Sequence, residues 1–195
     1  WEKEQTAAGA RPRYSEALRR ALPSDNWTIE SGIAFPLYRM AGSVLDYDKL
    51  LQLGLSGLTQ LIHDKMAGDT AGAENDFYNG LLMTLEIVKK TCLYFSEKTI
   101  GIAEKGNDKW HAHLGQLGAA LKNIATAPPK TLLEAIQLFF IYNSMAGSLN
   151  FGRMDVYLGD FLVRDIQHGA ITREEAVDMV AGLWKLIDAR KTIFD

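Results

Sequence analysis

The chain has 195 residues, 47% of them apolar and 23% charged, with a formal net charge of −3. This is a globular composition rather than a disordered one, enough to bury roughly 70% of the unfolded surface as one domain or a small pair. The balance excludes a basic protein that tracks a nucleic-acid backbone. The sequence also lacks the long uncharged apolar run of a bilayer-spanning helix.

The opening Trp1-Glu2-Lys3-Glu4 has no signal-peptide character and the single cysteine, Cys92, cannot close an internal disulfide, so a cytoplasmic location is expected. Residues 1–13 read as a flexible arm, and Tyr14 to Leu22 as a short helix closed by Pro23. Asn26-Trp27-Thr28 spells a glycosylation sequon but reads as a helix cap. Ile29 to Met40 shows no clean period.

From Asp46 to Met66 leucines recur on most sides of a predicted helix, which suits burial inside something large. Gly54 and Gly57 lie one turn apart there, which would let a neighbouring helix approach closely. After a loop of small residues, a long helix is predicted from Glu74 to Glu104. Phe77, Leu81, Leu82, Leu85, Val88, Cys92 and Phe95 form its apolar stripe, and Cys92 reads as a small buried hydrophobe. Gly106-Asn107-Asp108 ends that helix and caps the next, where Trp110, Leu114, Leu117, Leu121 and Ile124 keep the period.

The segment from Pro128 to Asp195 is the most informative. Thr131 and Glu134 form a capping box for a helix to Met145, a second helix runs from Met154 to Gln167 and stops at Gly169, and Thr172 with Glu175 opens a third. In all, seven helices, no clear strand and no internal repeat are expected. The only stretch where a short strand would be unsurprising is Gly147 to Phe151.

Between the first two of these helices lies the bend Ser148 to Tyr157, with Arg153 at or beside a helix start. A cation there opposes the helix dipole, whereas a guanidinium beside free N–H groups suits a carboxylate or phosphate. Pairing with Asp155 or Asp160 is the ordinary alternative. Other chemistry is poorly served. His111 and His113 are two apart and diverge on a helix, so no metal site is expected. A calcium loop ending at Glu175 would need ligands from Arg164, Ile166 and His168, and no phosphate-binding glycine motif occurs.

The order Glu134-Ala135-x-Gln137, Asn150-x-Gly152-Arg153 and Gly169-x-Ile171-Thr172-x-Glu174-Glu175-Ala176 resembles the glycyl radical enzymes, the pyruvate formate-lyase family. The runs Asp46 to Ile62 and Asn75 to Phe95 also resemble that family's early helices, so the likeness spans nearly the whole chain. It implies a mainly α chain, residues 1–195 forming one helical N-terminal portion around a ten-stranded α/β barrel contributed mostly by further chain. It implies a transferase or a lyase of C–C, C–O or C–N bonds acting on a small, anionic substrate. The radical would reside on a glycine outside this chain, installed by an S-adenosylmethionine-dependent iron–sulfur activase, and the catalytic cysteine would also lie outside.

By the same resemblance Arg153 is the position expected to hold a substrate carboxylate. The eliminase pattern G-R-x-D-Q-Y adds Asp155 and Tyr157, although valine replaces its glutamine at Val156. Asp155 suits a first helical turn without any ligand, and Tyr157 suits a core. The expected partners are the small-molecule substrate, the rest of the enzyme, the activase and a second copy in a homodimer, with no nucleic acid and no membrane. The chain starts without methionine and ends without a closing element, so a piece of a longer protein, inactive alone, is expected. The alternative is a non-catalytic, all-helical binding or scaffold module.

Overall fold

A computed structural model describes residues 44–68, 73–148 and 150–191. The expected arm, the Tyr14 to Leu22 helix and the Asn26 sequon fall outside them. Seven helices and no strand occur among the described residues: α1 (Tyr47–Met66), α2 (Ala73–Ala103), α3 (Lys109–Ile124), α4 (Leu132–Ala146), α5 (Met154–Tyr157), α6 (Gly159–Gln167) and α7 (Arg173–Lys191). None is long and apolar enough to cross a membrane.

Local chemistry sets the helix starts. The Asp46 carboxylate accepts from Lys49 N at 3.1 Å, Asp108 from His111 N at 2.9 Å and the Thr131 hydroxyl from Glu134 N at 3.3 Å. The Glu134 carboxylate reaches back to Thr131 N at 3.4 Å and so completes the expected capping box. Thr172 and Glu175 exchange the same pair of bonds ahead of α7, at 2.8 and 3.1 Å. Each such cap satisfies N–H groups that have no partner within the helix.

α2 and α3 form the most extensive helix pair, and the buried Ser96 hydroxyl donates across it to Gly118 O at 2.7 Å. α4 lies at the centre, against α1, α2, α3, α6 and α7. Its Leu132, Ala135, Leu138 and Phe139 have no solvent exposure, and Ile124, Leu51, Leu183 and Ile187 close around them. Burying one such large side chain contributes about 1.5–3 kcal/mol, so this helix anchors the others by area alone.

Three expectations about packing change. Gly54 does not receive a neighbouring helix: it breaks α1 with φ 62° and ψ −178°, and the backbone of Pro128 fills the space in front of it. The predicted Met154 to Gln167 helix is two, parted at Leu158. Tyr157 and Leu158 are both buried on either side of this break. Finally, Phe77, Phe95 and Trp110, which match the apolar period, are exposed among the described residues, as are Val177 and Trp184 of α7.

Exposure of this kind is widespread. On α2 the core side carries Leu85, Val88 and Cys92, whereas Met83, Ile87 and Tyr94 form a second apolar stripe on the opposite side that no described element covers. Large exposed apolar patches on a lone chain drive association. Expressed as these 195 residues, the 21.7 kDa chain should therefore self-associate with rising concentration in light scattering. A monodisperse monomer throughout would contradict this.

Candidate functional site

The bend between α4 and α5 is fixed by glycine conformation and by polar groups reaching in from the core. α4 ends at Gly147 in the left-handed region (φ 68°), and Gly152 repeats that conformation (φ 59°) immediately before Arg153. Both positions demand a residue without a Cβ penalty. Between them the Asn150 side-chain oxygen accepts from Gly152 N at 3.1 Å, and the Ser148 hydroxyl accepts from Asn150 N at 3.2 Å.

Two phenols secure the same segment. The Tyr47 hydroxyl, from the first turn of α1, donates to Asn150 O at 3.2 Å. The Tyr157 hydroxyl donates to Phe151 O at 2.6 Å. Behind Tyr47, the Asn143 amide of α4 donates to its hydroxyl oxygen. The rings of Tyr47, Phe139 and Tyr157 pack together with centroids 4.9, 5.2 and 5.5 Å apart, and Phe151 joins Phe139 at 6.2 Å. Burial pushes the Tyr157 phenol well above its ordinary value, and the nearby Tyr47 adds to this. The group thus stays protonated, as its role as a donor requires.

Tyr157 is therefore a buried fastener of the bend, and its hydroxyl is occupied by backbone. Arg153 and Asp155 have the opposite character, with side chains 76% and 65% exposed. The guanidinium Nε donates to Asp155 Oδ1 at 2.8 Å, and Nη2 donates to Oδ2 at 2.6 Å. This fork-to-fork pair holds the Asp155 carboxyl below the usual carboxylate range and raises the arginine further above its own. Of the two pairings open on the sequence, the structure takes Asp155 rather than Asp160.

Other polar groups settle elsewhere. Cys92 is fully buried in α2, and burial raises its thiol to about 11, against a smaller lowering by a backbone hydrogen bond, so at neutral pH it is a packed, protonated thiol. It is the only cysteine in the sequence. No cluster of three or more metal-ligating side chains occurs among the described residues.

Sequence reasoning missed Asp165, which is 6% exposed and accepts from Leu132 N at 2.7 Å, tying α6 to the start of α4. Beside it the Arg164 guanidinium donates to Lys130 O at 2.6 Å. The adjacent Arg-Asp pair on an amphipathic helix carried no signal of this, because both partners lie more than thirty residues away along the chain.

Comparison with known proteins supplies the remaining context. The chain is 28% identical over 162 residues to a (2S)-3-sulfopropanediol dehydratase of Klebsiella oxytoca, covering 74% of this chain and 19% of that protein. It is 25% identical over 197 residues to an isethionate sulfite-lyase of Oleidesulfovibrio alaskensis, covering 88% and 24%. It therefore spans about a fifth to a quarter of the length of these curated relatives.

Among solved structures, a glycyl radical enzyme from Archaeoglobus fulgidus superposes with a TM-score of 0.66 at 23% identity, over 80% of this chain and 24% of that one. An enzyme of 1,2-propanediol dehydration from Roseburia inulinivorans gives 0.68 at 24% identity, over 74% and 19%. These likenesses show the all-helical arrangement to be a portion of the glycyl radical enzyme fold. The family model described as pyruvate formate lyase-like matches residues 1–194, and the chain belongs to that family of glycyl radical enzymes.

Proposed function

We propose that these residues form the N-terminal helical part of a glycyl radical lyase that eliminates water or another leaving group from a small, negatively charged, hydroxylated molecule. The observation that carries this reading is the family match over residues 1–194, combined with what the relatives' names say they act on. Two of them act on organosulfonates, (2S)-3-sulfopropanediol and isethionate, and a third from Clostridium scatologenes is a 4-hydroxyphenylacetate decarboxylase subunit. All three substrates are small anions carrying a hydroxyl group.

In this reading the helices pack around a ten-stranded barrel formed by further chain. A radical held on a backbone glycine elsewhere, installed by an S-adenosylmethionine-dependent activase, supplies hydrogen-atom abstraction through a cysteine outside these residues. The assembled enzyme is a cytoplasmic homodimer. The experiment is to activate the full-length enzyme anaerobically and assay it with 3-sulfopropanediol, isethionate, 4-hydroxyphenylacetate, glycerol and 1,2-propanediol. Turnover confined to the anions supports the reading. Turnover of the neutral diols alone retires the anionic substrate.

The carboxylate- or sulfonate-gripping role of Arg153 belongs to the same proposal and carries a physical condition. The guanidinium must exchange Asp155 for the substrate anion. Arg153→Lys, which keeps the charge but loses the fork, should then raise KM about tenfold with little change in kcat. Unchanged kinetics would retire Arg153 as a ligand. The exposed Arg153–Asp155 pair is also the one observation that favours the second reading, a non-catalytic helical module. A reading frame that continues past Asp195 into a cysteine loop and a terminal glycine loop favours the enzyme, and its closure favours the module.

A further inference from the structure

The bend carries more internal fastening than a simple helix connection needs. Four of its backbone groups are held by side chains: Asn150 N by Ser148, Asn150 O by Tyr47 from the core and by Ser148 from within the bend, Phe151 O by Tyr157 and Gly152 N by Asn150. The two phenols stand side by side, ring centroids 5.2 Å apart, and capture two consecutive carbonyls. The peptide planes that follow Asn150 and Phe151 are thereby fixed immediately before the left-handed Gly152, and so is the direction in which the chain leaves toward Arg153.

Asn143 and Tyr47, 1% and 2% exposed, place an amide and a hydroxyl among Phe139, Leu138 and Leu51. Hydrocarbon would fill that volume without any polar group to satisfy, whereas a fully bonded polar chain selects one arrangement of the segment it holds. Asn143 donates to Tyr47, which donates to Asn150 O, linking α4, α1 and the bend across 96 and 103 residues of sequence. Each donation polarises the next, and the Asn143 amide also holds the Tyr47 hydroxyl in the direction of Asn150 O.

We propose that Tyr47, with Asn143 behind it and Tyr157 beside it, is a positioning device that sets the bend's backbone and hence the place at which Arg153 is presented. Its consequence for substrate rests on the anion-gripping role of Arg153, whereas its consequence for the backbone does not. Loss of the Tyr47 hydroxyl should loosen the bend without opening the core, because phenylalanine keeps the ring contacts with Phe139 and Tyr157.

The test uses Tyr47→Phe and Asn143→Leu in the full-length enzyme, with amide hydrogen exchange and steady-state kinetics on 3-sulfopropanediol. Exchange at Gly152 and Arg153 should quicken about tenfold or more in both variants, while α2 and α3 amides stay near wild type once the modest fall in global stability from the lost buried hydrogen bond is allowed for. KM should rise with kcat retained. Quickened exchange with unchanged KM upholds the device and retires Arg153 as the substrate ligand. Unchanged exchange at the bend, or a uniform rise over the whole chain, overturns the proposal. Tyr157→Phe supplies an independent arm, since it frees only Phe151 O.

Discussion

Replacing Gly54 with alanine should lower the unfolding free energy by about 2–6 kcal/mol, the largest loss expected from any single methyl addition in the described chain. Two costs add. The backbone at φ 62° and ψ −178° lies in a region open essentially to glycine alone, where another residue pays about 1–3 kcal/mol. The new Cβ would also sit 2.7 Å from Pro128 Cα and 2.9 Å from Pro128 N. Those are backbone atoms, unable to swing aside, and overpacking of this sort costs about 1–3 kcal/mol more.

Against a total stability of about 5–15 kcal/mol, the variant would be marginal. Gly80→Ala in α2 is the control, because nothing lies within 4 Å of its added Cβ. Helix propensity alone should then leave that variant as stable as wild type or up to about 1 kcal/mol better. Urea denaturation followed by circular dichroism reads both, and equal midpoints would refute the account of the α1 break.

Asp165→Ala should cost about 2–3 kcal/mol through the loss of a charge-assisted hydrogen bond and the orphaning of a buried donor. The Asp165 carboxylate accepts from Leu132 N at 2.7 Å, and Leu132 has no solvent exposure, so no water can take its place without opening the joint. The bond also does two jobs at once. It satisfies one of the first N–H groups of α4, where a negative charge complements the helix dipole, and it fastens α6 to the central helix.

Asp165→Asn keeps an acceptor oxygen and removes the charge, so it should recover roughly half of the loss. The same denaturation series checks this. Equal losses in the two variants would assign the effect to charge alone, and no loss in either would show the tie to be dispensable.

Much of the fold was legible because helix ends are set by residues close together in sequence. Thr131 with Glu134, Thr172 with Glu175, Asp108 before α3 and Gly169 after α6 are contacts over one turn, and each lies where the pattern placed it. The break at Gly54 was not legible, since its cause is a proline seventy-four positions away. The break at Leu158 was not legible either, because the apolar period runs through it without a glycine, proline or cap to mark it.

The bend was legible through its glycine-arginine motif, and the side chains that hold it were not. Tyr47 reads as one more apolar residue in the first turn of a leucine-rich helix, and its bond to Asn150 O exists only once α1 and α4 have packed. Tyr157 reads as a substrate contact or a core residue from the sequence, and its ring joins the aromatic cluster while its hydroxyl donates to Phe151 O. The exposed Arg153–Asp155 pair was one of the alternatives open from spacing.

The central claim is that these helices belong to a working radical lyase, and electron paramagnetic resonance of the full-length protein tests it most directly. After anaerobic treatment with its activase, S-adenosylmethionine and a reductant, the protein should show a glycyl radical signal that oxygen destroys. No such signal after the same treatment, from a reading frame lacking the terminal glycine loop, would contradict the claim.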